Sequence, residues 1–359
     1  MELATFNQLL AAAVKTGASD IHFKPGAAPA LRLNGALLPV RTPALSPEDT
    51  ARIASHVLTQ HRYKGELDEL REYDASYALE GVARFRASIF RNKGQLAAIL
   101  RAIPFQVPDF QQLGLPVKVM ERIAEEDRRL ILVTGVTGSG KSSTLAAIVG
   151  HINARHRKHV LTIEDPIEFL HQDKLARITQ REIGPDSASF TTALRAALRQ
   201  DPDVILVGEM RDAETIDIAL RAAETGHLVL STVHTTDCEH IIGRIVGTFE
   251  PSAQAGVRNR LADNLRATIS QRLLPHASGK GRVVAAEIMV STLSVMDFIR
   301  DPEKTPRITQ YLTEQTDVLG SQSFDQHLAR LYTAQQITRE AALDAATSPS
   351  DFERAFVFS

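Results

Sequence analysis

One octet constrains this chain more than any other feature: Gly135-Val136-Thr137-Gly138-Ser139-Gly140-Lys141-Ser142, which fits the pattern G-x-x-x-x-G-K-[ST]. Average composition yields such an octet by accident in roughly one chain of this length per hundred, so its surroundings decide what it means. They fit. An apolar run at 130–134 precedes it, and Leu145, Ile148, Val149 and Ile152 follow at the helical spacing i, i+3, i+4, i+7. Strand, glycine loop and helix start are what a phosphate cradle requires. Glycines let backbone N–H groups curl round phosphate oxygens without Cβ clashes, and the helix N-terminus adds partial positive charge. Lys141 then reaches the β- and γ-phosphates of ATP, and the Ser142 hydroxyl ligates Mg²⁺. The candidate nucleotide-binding residues are Gly135, Thr137, Gly138, Ser139, Gly140, Lys141, Ser142 and Ser143. A glycine turn with an incidental lysine is the competing reading, and it leaves the strand–loop–helix context unexplained.

The same period continues along the chain. Apolar runs at 129–134, 160–164, 204–207 and 228–233 alternate with helical stretches at 142–153, 190–200 and 212–224. This is the signature of a parallel sheet covered by helices, whose ligands bind at the carboxyl ends of the strands. Asp201-Pro202-Asp203-Val204-Ile205-Leu206-Val207-Gly208-Glu209 brings Glu209 out at such an end, where a carboxylate can hold the hydration shell of Mg²⁺ beside the γ-phosphate. Thr162-Ile163-Glu164-Asp165-Pro166-Ile167-Glu168 gathers three carboxylates within five residues at another. One of them can orient the attacking water; the alternative is a solvated acidic turn. His227 and His234 flank the run 228–233, and their odd separation points them to opposite faces, so they do not share a metal. His234 is either a γ-phosphate sensor or a structural histidine. Arg195 and Arg199 stand four apart on a helical stretch, and Arg84, Arg86 and Arg91 lie along strand-like segments. These arginines suit either a solvated face or the neutralisation of charge in phosphoryl transfer, across a subunit interface in the case of the last three.

Residues 1–103 read as a separate mixed α/β unit: a helix through Leu3, Phe6, Leu10 and Val14 stopping near Gly17, a hairpin at Asn34-Gly35, a helix from Ser46 to about Gln60, then two or three strands over 73–103. The proline-marked segment 104–112 reads as a linker, and 293–346 as mainly helical. Composition removes other classes. The single cysteine, Cys238, excludes internal disulfides and multi-cysteine zinc sites. A net charge of 41 − 43 = −2, 5% aromatics and no tryptophan argue against a nucleic-acid translocase, which needs a basic path and stacking rings. No apolar run approaches the roughly 18 residues of a membrane span, and the opening MELATFNQLL lacks the basic region of a signal peptide, so a cytoplasmic protein is expected.

Four ordered blocks, at 135–142, 162–169, 201–212 and 226–235, together with Ala18-Ser19-Asp20-Ile21-His22 and Gln322-Ser323-Phe324-Asp325-Gln326-His327, make the chain resemble the secretion-type ATPases of type II secretion and type IV pili. Within them it is most similar to the retraction ATPases of twitching motility. The resemblance implies a small N-terminal PAS-like α/β domain (1–103), the linker, and a RecA-like P-loop ATPase domain (113–359) with a helical C-terminal region from about 293. It also implies a homo-hexamer with ATP and Mg²⁺ at its interfaces. Such a ring acts at the cytoplasmic face of the inner membrane on a pilus platform protein, with a second retraction ATPase as a further partner and no nucleic acid. Glu168 then matches the general base and Glu209 the glutamate near Mg²⁺, two roles the pair can exchange. His227 and His234 match a histidine pair, Arg84, Arg86 and Arg91 the interfacial arginines, and Arg195 and Arg199 the arginines before the Glu209 strand.

Direction of action follows from the cysteine count. Assembly ATPases of this group usually carry a four-cysteine zinc module and a longer N-terminal region; one cysteine and about 100 N-terminal residues favour retraction. Two departures stand out. Val136 replaces the usual proline of the phosphate loop. The retraction pattern Ala-Ile-Arg-Asn-Leu-Ile-Arg becomes Ser294-Val295-Met296-Asp297-Phe298-Ile299-Arg300, in which only Ile299 and Arg300 match. An accessory retraction paralogue is the alternative reading, and an assembly or type II secretion ATPase the next. The spacing of Leu293, Met296 and Ile299–Arg300 predicts one helix face with Met296 packed.

Overall fold

The computed structural model describes residues 1–33, 35–60, 63, 65–103, 107–314 and 318–357. The chain divides into two compact units, Met1–Gln106 with Glu168–Leu170, and Val107–Ile167 with His171–Ser359.

The first unit contains α1 (Leu3–Lys15), β1 (Asp20–Phe23), β2 (Ala30–Leu33), β3 (Ala36–Pro39), α2 (Pro47–Gln60), β4 (Glu72–Leu79), β5 (Ala83–Asn92) and β6 (Gln95–Ile103). Its strands form one antiparallel sheet in the order β3-β2-β1-β6-β5-β4. Alternation makes the sheet two-faced. Ala83, Phe85, Ala87 and Ile89 of β5 are buried with Phe6 and Leu10 of α1 and Ile53 and Val57 of α2. Arg84 and Arg86 lie on the opposite face. There the register aligns Arg32, Asp20, Arg101 and Arg86 across four neighbouring strands. Asp20 sits between two of these arginines, 2.8 Å from Arg101 Nε and 3.8 Å from Arg32 Nε. The start of α2 is fixed reciprocally: Asp49 N–H donates to Ser46 Oγ, and Ser46 N–H to Asp49 Oδ2. β2 and β3 pair on either side of the expected hairpin, of which Asn34 lies outside the described residues, as do 104–106 of the expected linker.

The second unit runs α3 (Val117–Ala124), β7 (Arg129–Thr134), α4 (Lys141–Arg155), β8 (His159–Glu164), β9 (Arg177–Glu182), α5 (Phe190–Ala197), β10 (Val204–Val207), α6 (Ala213–Glu224), β11 (Leu228–Val233), α7 (Cys238–Val246), α8 (Pro251–Asn264), β12 (Leu265–Pro275), β13 (Arg282–Val290) and α9 (Leu293–Arg300). Helices Arg307–Glu314, Phe324–Thr333, Arg339–Ala345 and Pro349–Val357 follow. The sheet order is β13-β12-β7-β11-β10-β8-β9, parallel throughout except for the antiparallel β12–β13 pair. Helices cover both faces, so β10 and β11 are buried along their whole length. Val107 and Phe110 belong to this unit: Phe110 enters its core, and a Cβ on Gly150 of α4 would stand 3.2 Å from Val107 Cγ1.

Two expectations need correction. The buried face of α9 is Val295 and Ile299, whereas Leu293 is 85% exposed and Met296 is half-buried. Thr292 caps the helix by accepting the Val295 N–H, which makes Leu293 the first helical residue and turns its side chain out past the opening turn. Arg195 and Arg199 do not share one helix, because α5 ends at Ala197 and Arg199 lies in the turn beyond it.

Candidate nucleotide site

The parallel register ends β7 and β11 level and β10 two residues short of them, a gap that Gly208 and Glu209 fill. Thr134 of β7 lies beside Val233 of β11, and Ser231 of β11 beside Val207 of β10. The residues that follow therefore emerge side by side at the carboxyl edge: the phosphate loop after β7, His234 after β11, Glu209 after β10. Because β11 stands between the other two strands, His234 stands between the loop and Glu209.

The loop admits only glycine at its first position. Gly135 has φ of 144°, and a Cβ there would fall 2.4 Å from Ser139 Oγ and 2.5 Å from the Gln271 carbonyl of β12. At the other end Gly140 sits in the left-handed region and starts α4 with no side-chain cap, which leaves the first N–H groups of the helix aimed into the loop. Lys141 is 9% exposed, its Nζ 2.9 Å from the Gly135 carbonyl and 3.1 Å from that of Val136. Among the described residues Ser139 Oγ is buried without a hydrogen-bond partner. An uncapped helix start, an inward ammonium and an orphaned hydroxyl fit a bound polyphosphate. Behind the loop, Gln271 Nε2 donates to Thr144 Oγ1 at 2.8 Å and ties β12 to α4.

Glu209 is held from two sides. Oε2 lies 2.7 Å from Arg211 Nη2 and Oε1 3.2 Å from His234 Nε2. Burial pushes the carboxyl up, but the Arg211 hydrogen bond and the His234 and Arg211 charges outweigh it and hold the group below its ordinary range. His234 is itself fixed through its successor: Thr134 Oγ1 donates to the Thr235 carbonyl at 2.6 Å, with the two hydroxyls 2.9 Å apart. Of the acidic block, Glu164 accepts from Thr162 Oγ1 at 2.7 Å and Gln180 Nε2 at 3.1 Å, while Asp165 and Glu168 are exposed.

Other candidates sit elsewhere. His227 lies at the amino end of β11, about 20 Å of strand away from His234, with Nδ1 2.9 Å from the Ala222 carbonyl. Arg195 pairs with Glu214 of α6, and Arg199 Nη1 donates to the Arg195 carbonyl at 3.1 Å. In the first unit Arg91 donates to four carbonyls: Leu70 (2.7 Å), Gly94 (2.5 Å), Asp68 (2.8 Å) and Leu67 (2.9 Å). Arg84 donates to Ser76 Oγ at 3.1 Å, and Arg86 is 3.6 Å from Asp74. Arg211, Thr134 and Gln271 join the site without having been expected from the sequence. Only Arg211 left a signal, since a residue two beyond Glu209 in extended chain projects to the same side.

The family model of the type II/IV secretion system protein matches residues 2–344. The chain belongs to the type II/IV secretion system protein family. Its relatives in that family include the type IV pilus retractation ATPase PilT of Pseudomonas aeruginosa, 41% identical over 96% of this chain and 99% of the relative. The type IV pilus ATPase PilU of the same organism is 38% identical over 96% of this chain and 90% of its own. A crystal structure of the pilus retraction motor PilT with bound ADP superposes with a TM-score of 0.88 at 44% identity, covering 97% of this chain and 98% of the other. The secretion-family fold is thus the α/β arrangement that the sequence implies, with a RecA-like ATPase unit carrying the phosphate loop. Among the described residues no helix is long and apolar enough to cross a membrane.

Proposed function

We propose that this chain is an ATP-hydrolysing motor that drives retraction of a type IV pilus. The observation that carries the reading is the carboxyl edge to which the register brings the phosphate loop, His234 and Glu209, in a chain similar over 96% of its length to a retraction ATPase. Lys141, Ser139 and the first N–H groups of α4 cradle the β- and γ-phosphates, while Ser142 and Glu209 would hold Mg²⁺. Mg²⁺, when bound, neutralises the charge that develops between the β- and γ-phosphates. Glu168 takes the proton of the attacking water, and His234 registers the γ-phosphate from its place between loop and Glu209.

The ring is a homo-hexamer in which a neighbour completes each nucleotide site. Arg84 and Arg86 on the open sheet face suit that task. The bonding of Arg91 supports a structural role instead, since its donation to four carbonyls fixes the chain at 67–70 and 94. His227, at the end of β11 away from the phosphate loop, and Arg195 and Arg199, bonded to Glu214 and to the Arg195 carbonyl, act at most on a neighbour's site. The motor works at the cytoplasmic face of the inner membrane on a pilus platform protein. Met296, standing where retraction ATPases have arginine, together with the similarity to PilU, favours a second reading: an accessory retraction ATPase that acts beside another.

Deleting the gene and scoring surface pili tests both. Abundant, immotile pili mark the retraction motor. Normal retraction that fails only when a second retraction ATPase is also removed marks the accessory. Loss of pili marks an assembly ATPase and overturns the proposal.

A further inference from the structure

Arg211 is not part of the phosphate cradle, yet its guanidinium lies 2.7 Å from Glu209. Its backbone has little freedom. Met210 before it is buried and donates its N–H to the Thr232 carbonyl at 3.3 Å, and Asp212 after it caps α6 by accepting the Thr215 N–H at 2.8 Å. The side chain, 72% exposed, therefore leaves a fixed root, reaches back across Met210 and takes Glu209 Oε2, while His234 faces Oε1. Both oxygens of the carboxylate thus have a cationic or cation-capable neighbour. A second carboxylate, Asp165, follows the adjacent β8, whose register sets Ile163 beside Val207 and so brings Asp165 level with Glu209. An exposed arginine with a fixed root and two acidic neighbours can exchange one for the other at small cost, because solvent screens the guanidinium in either pair and such pairs are worth about 1 kcal/mol.

The geometry points to Arg211 as a positioning residue that competes with the divalent cation for Glu209: it holds the carboxylate until metal-nucleotide arrives, then yields it and turns toward Asp165. This rests on the reading of Glu209 as the carboxylate that faces the metal. Competition has a consequence a merely structural arginine lacks. Removing the competitor strengthens the response to Mg²⁺ and leaves metal-free nucleotide binding alone.

The test is calorimetric titration of ADP into the full-length protein, in EDTA and over a series of Mg²⁺ concentrations, for wild type, Arg211→Ala, Arg211→Lys and Glu209→Gln. In Arg211→Ala the Mg²⁺ concentration giving half-maximal enhancement of ADP affinity should fall about fivefold, the equivalent of one exposed ion pair. Lysine, which restores the charge but not the fork, should recover part of that shift, and ADP affinity in EDTA should stay within about twofold of wild type. An unchanged Mg²⁺ response in Arg211→Ala, with Glu209→Gln altering it, overturns the competition and leaves the role of Glu209 standing. An ADP affinity in EDTA that drops more than about tenfold makes Arg211 a phosphate ligand and also overturns it. If Glu209→Gln leaves the Mg²⁺ response untouched, the reading of Glu209 itself fails and the inference falls with it.

Discussion

In the first unit the arginines lie across the face of an antiparallel sheet; in the second the charged groups crowd the ends of parallel strands. The difference follows from what each sheet leaves uncovered. Helices α1 and α2 pack on one side of the first sheet, so its outer face carries the row Arg32, Asp20, Arg101, Arg86. Helices bury the second sheet on both sides, and polar chemistry is confined to its edge, where loops follow β7, β10 and β11. A face suits contact with another macromolecule, and an edge suits a small ligand held by loops.

The sharpest way to break this contrast is Lys141→Ala. If chemistry belongs to the edge, turnover should fall at least a hundredfold and nucleotide binding weaken, with the thermal midpoint nearly unchanged. Wild-type turnover measured by phosphate release would remove the edge from the reaction. The next test divides the arginines of β5 in the first unit. Arg84→Ala and Arg86→Ala should lower turnover about tenfold or more without unfolding the first unit, and mixing either with Glu168→Gln subunits should restore part of it, because some interfaces then pair an intact glutamate with an intact arginine. Arg91→Ala should instead cost the first unit about 2 kcal/mol in chemical denaturation, since four carbonyls lose their donor. Rescue of Arg91→Ala in stable mixed rings would place it with the others.

The smallest expected effect is that of pH on the face itself. Burial pushes the Asp20 carboxyl up, but the Ser19 hydroxyl and the Arg101 and Arg32 charges pull it below its ordinary 3.8. A carboxyl lowered by folding stabilises above its ordinary value and loses that contribution as pH falls through the folded one. The urea midpoint of wild type should therefore exceed that of Asp20→Asn by a constant margin from about pH 5 to 7, and the margin should shrink below about pH 4. A margin independent of pH down to pH 3 would show that the row contributes packing rather than charge.

Much of the candidate edge is legible in the sequence because its signals are local: glycine spacing, an apolar strand, one carboxylate at its end. The placement of His234 between loop and Glu209 needed strand order, which alternation of strands and helices alone does not give. β9 escaped notice because Arg177-Ile178-Thr179-Gln180-Arg181-Glu182 is a polar edge strand. β12 escaped because Thr268, Ser270 and Gln271 are buried inside it, against the usual rule for polar side chains. Met296 was misplaced because apolar spacing fixes a face only once the first helical residue is known, and Thr292 sets it.

The contact between Gly135 and the Gln271 carbonyl has a mechanical side. A phosphate loop backed by solvent can flex when its cargo leaves, whereas this one is braced against a strand. β12 continues into β13, and Ile288 of β13 is bridged to Gln322, just ahead of the helix Phe324–Thr333. Gln271 pairs with Ala286 of β13, and Gln322 Nε2 donates to the Ala286 carbonyl, so only one strand separates the residue that backs the loop from the start of the helical C-terminal region.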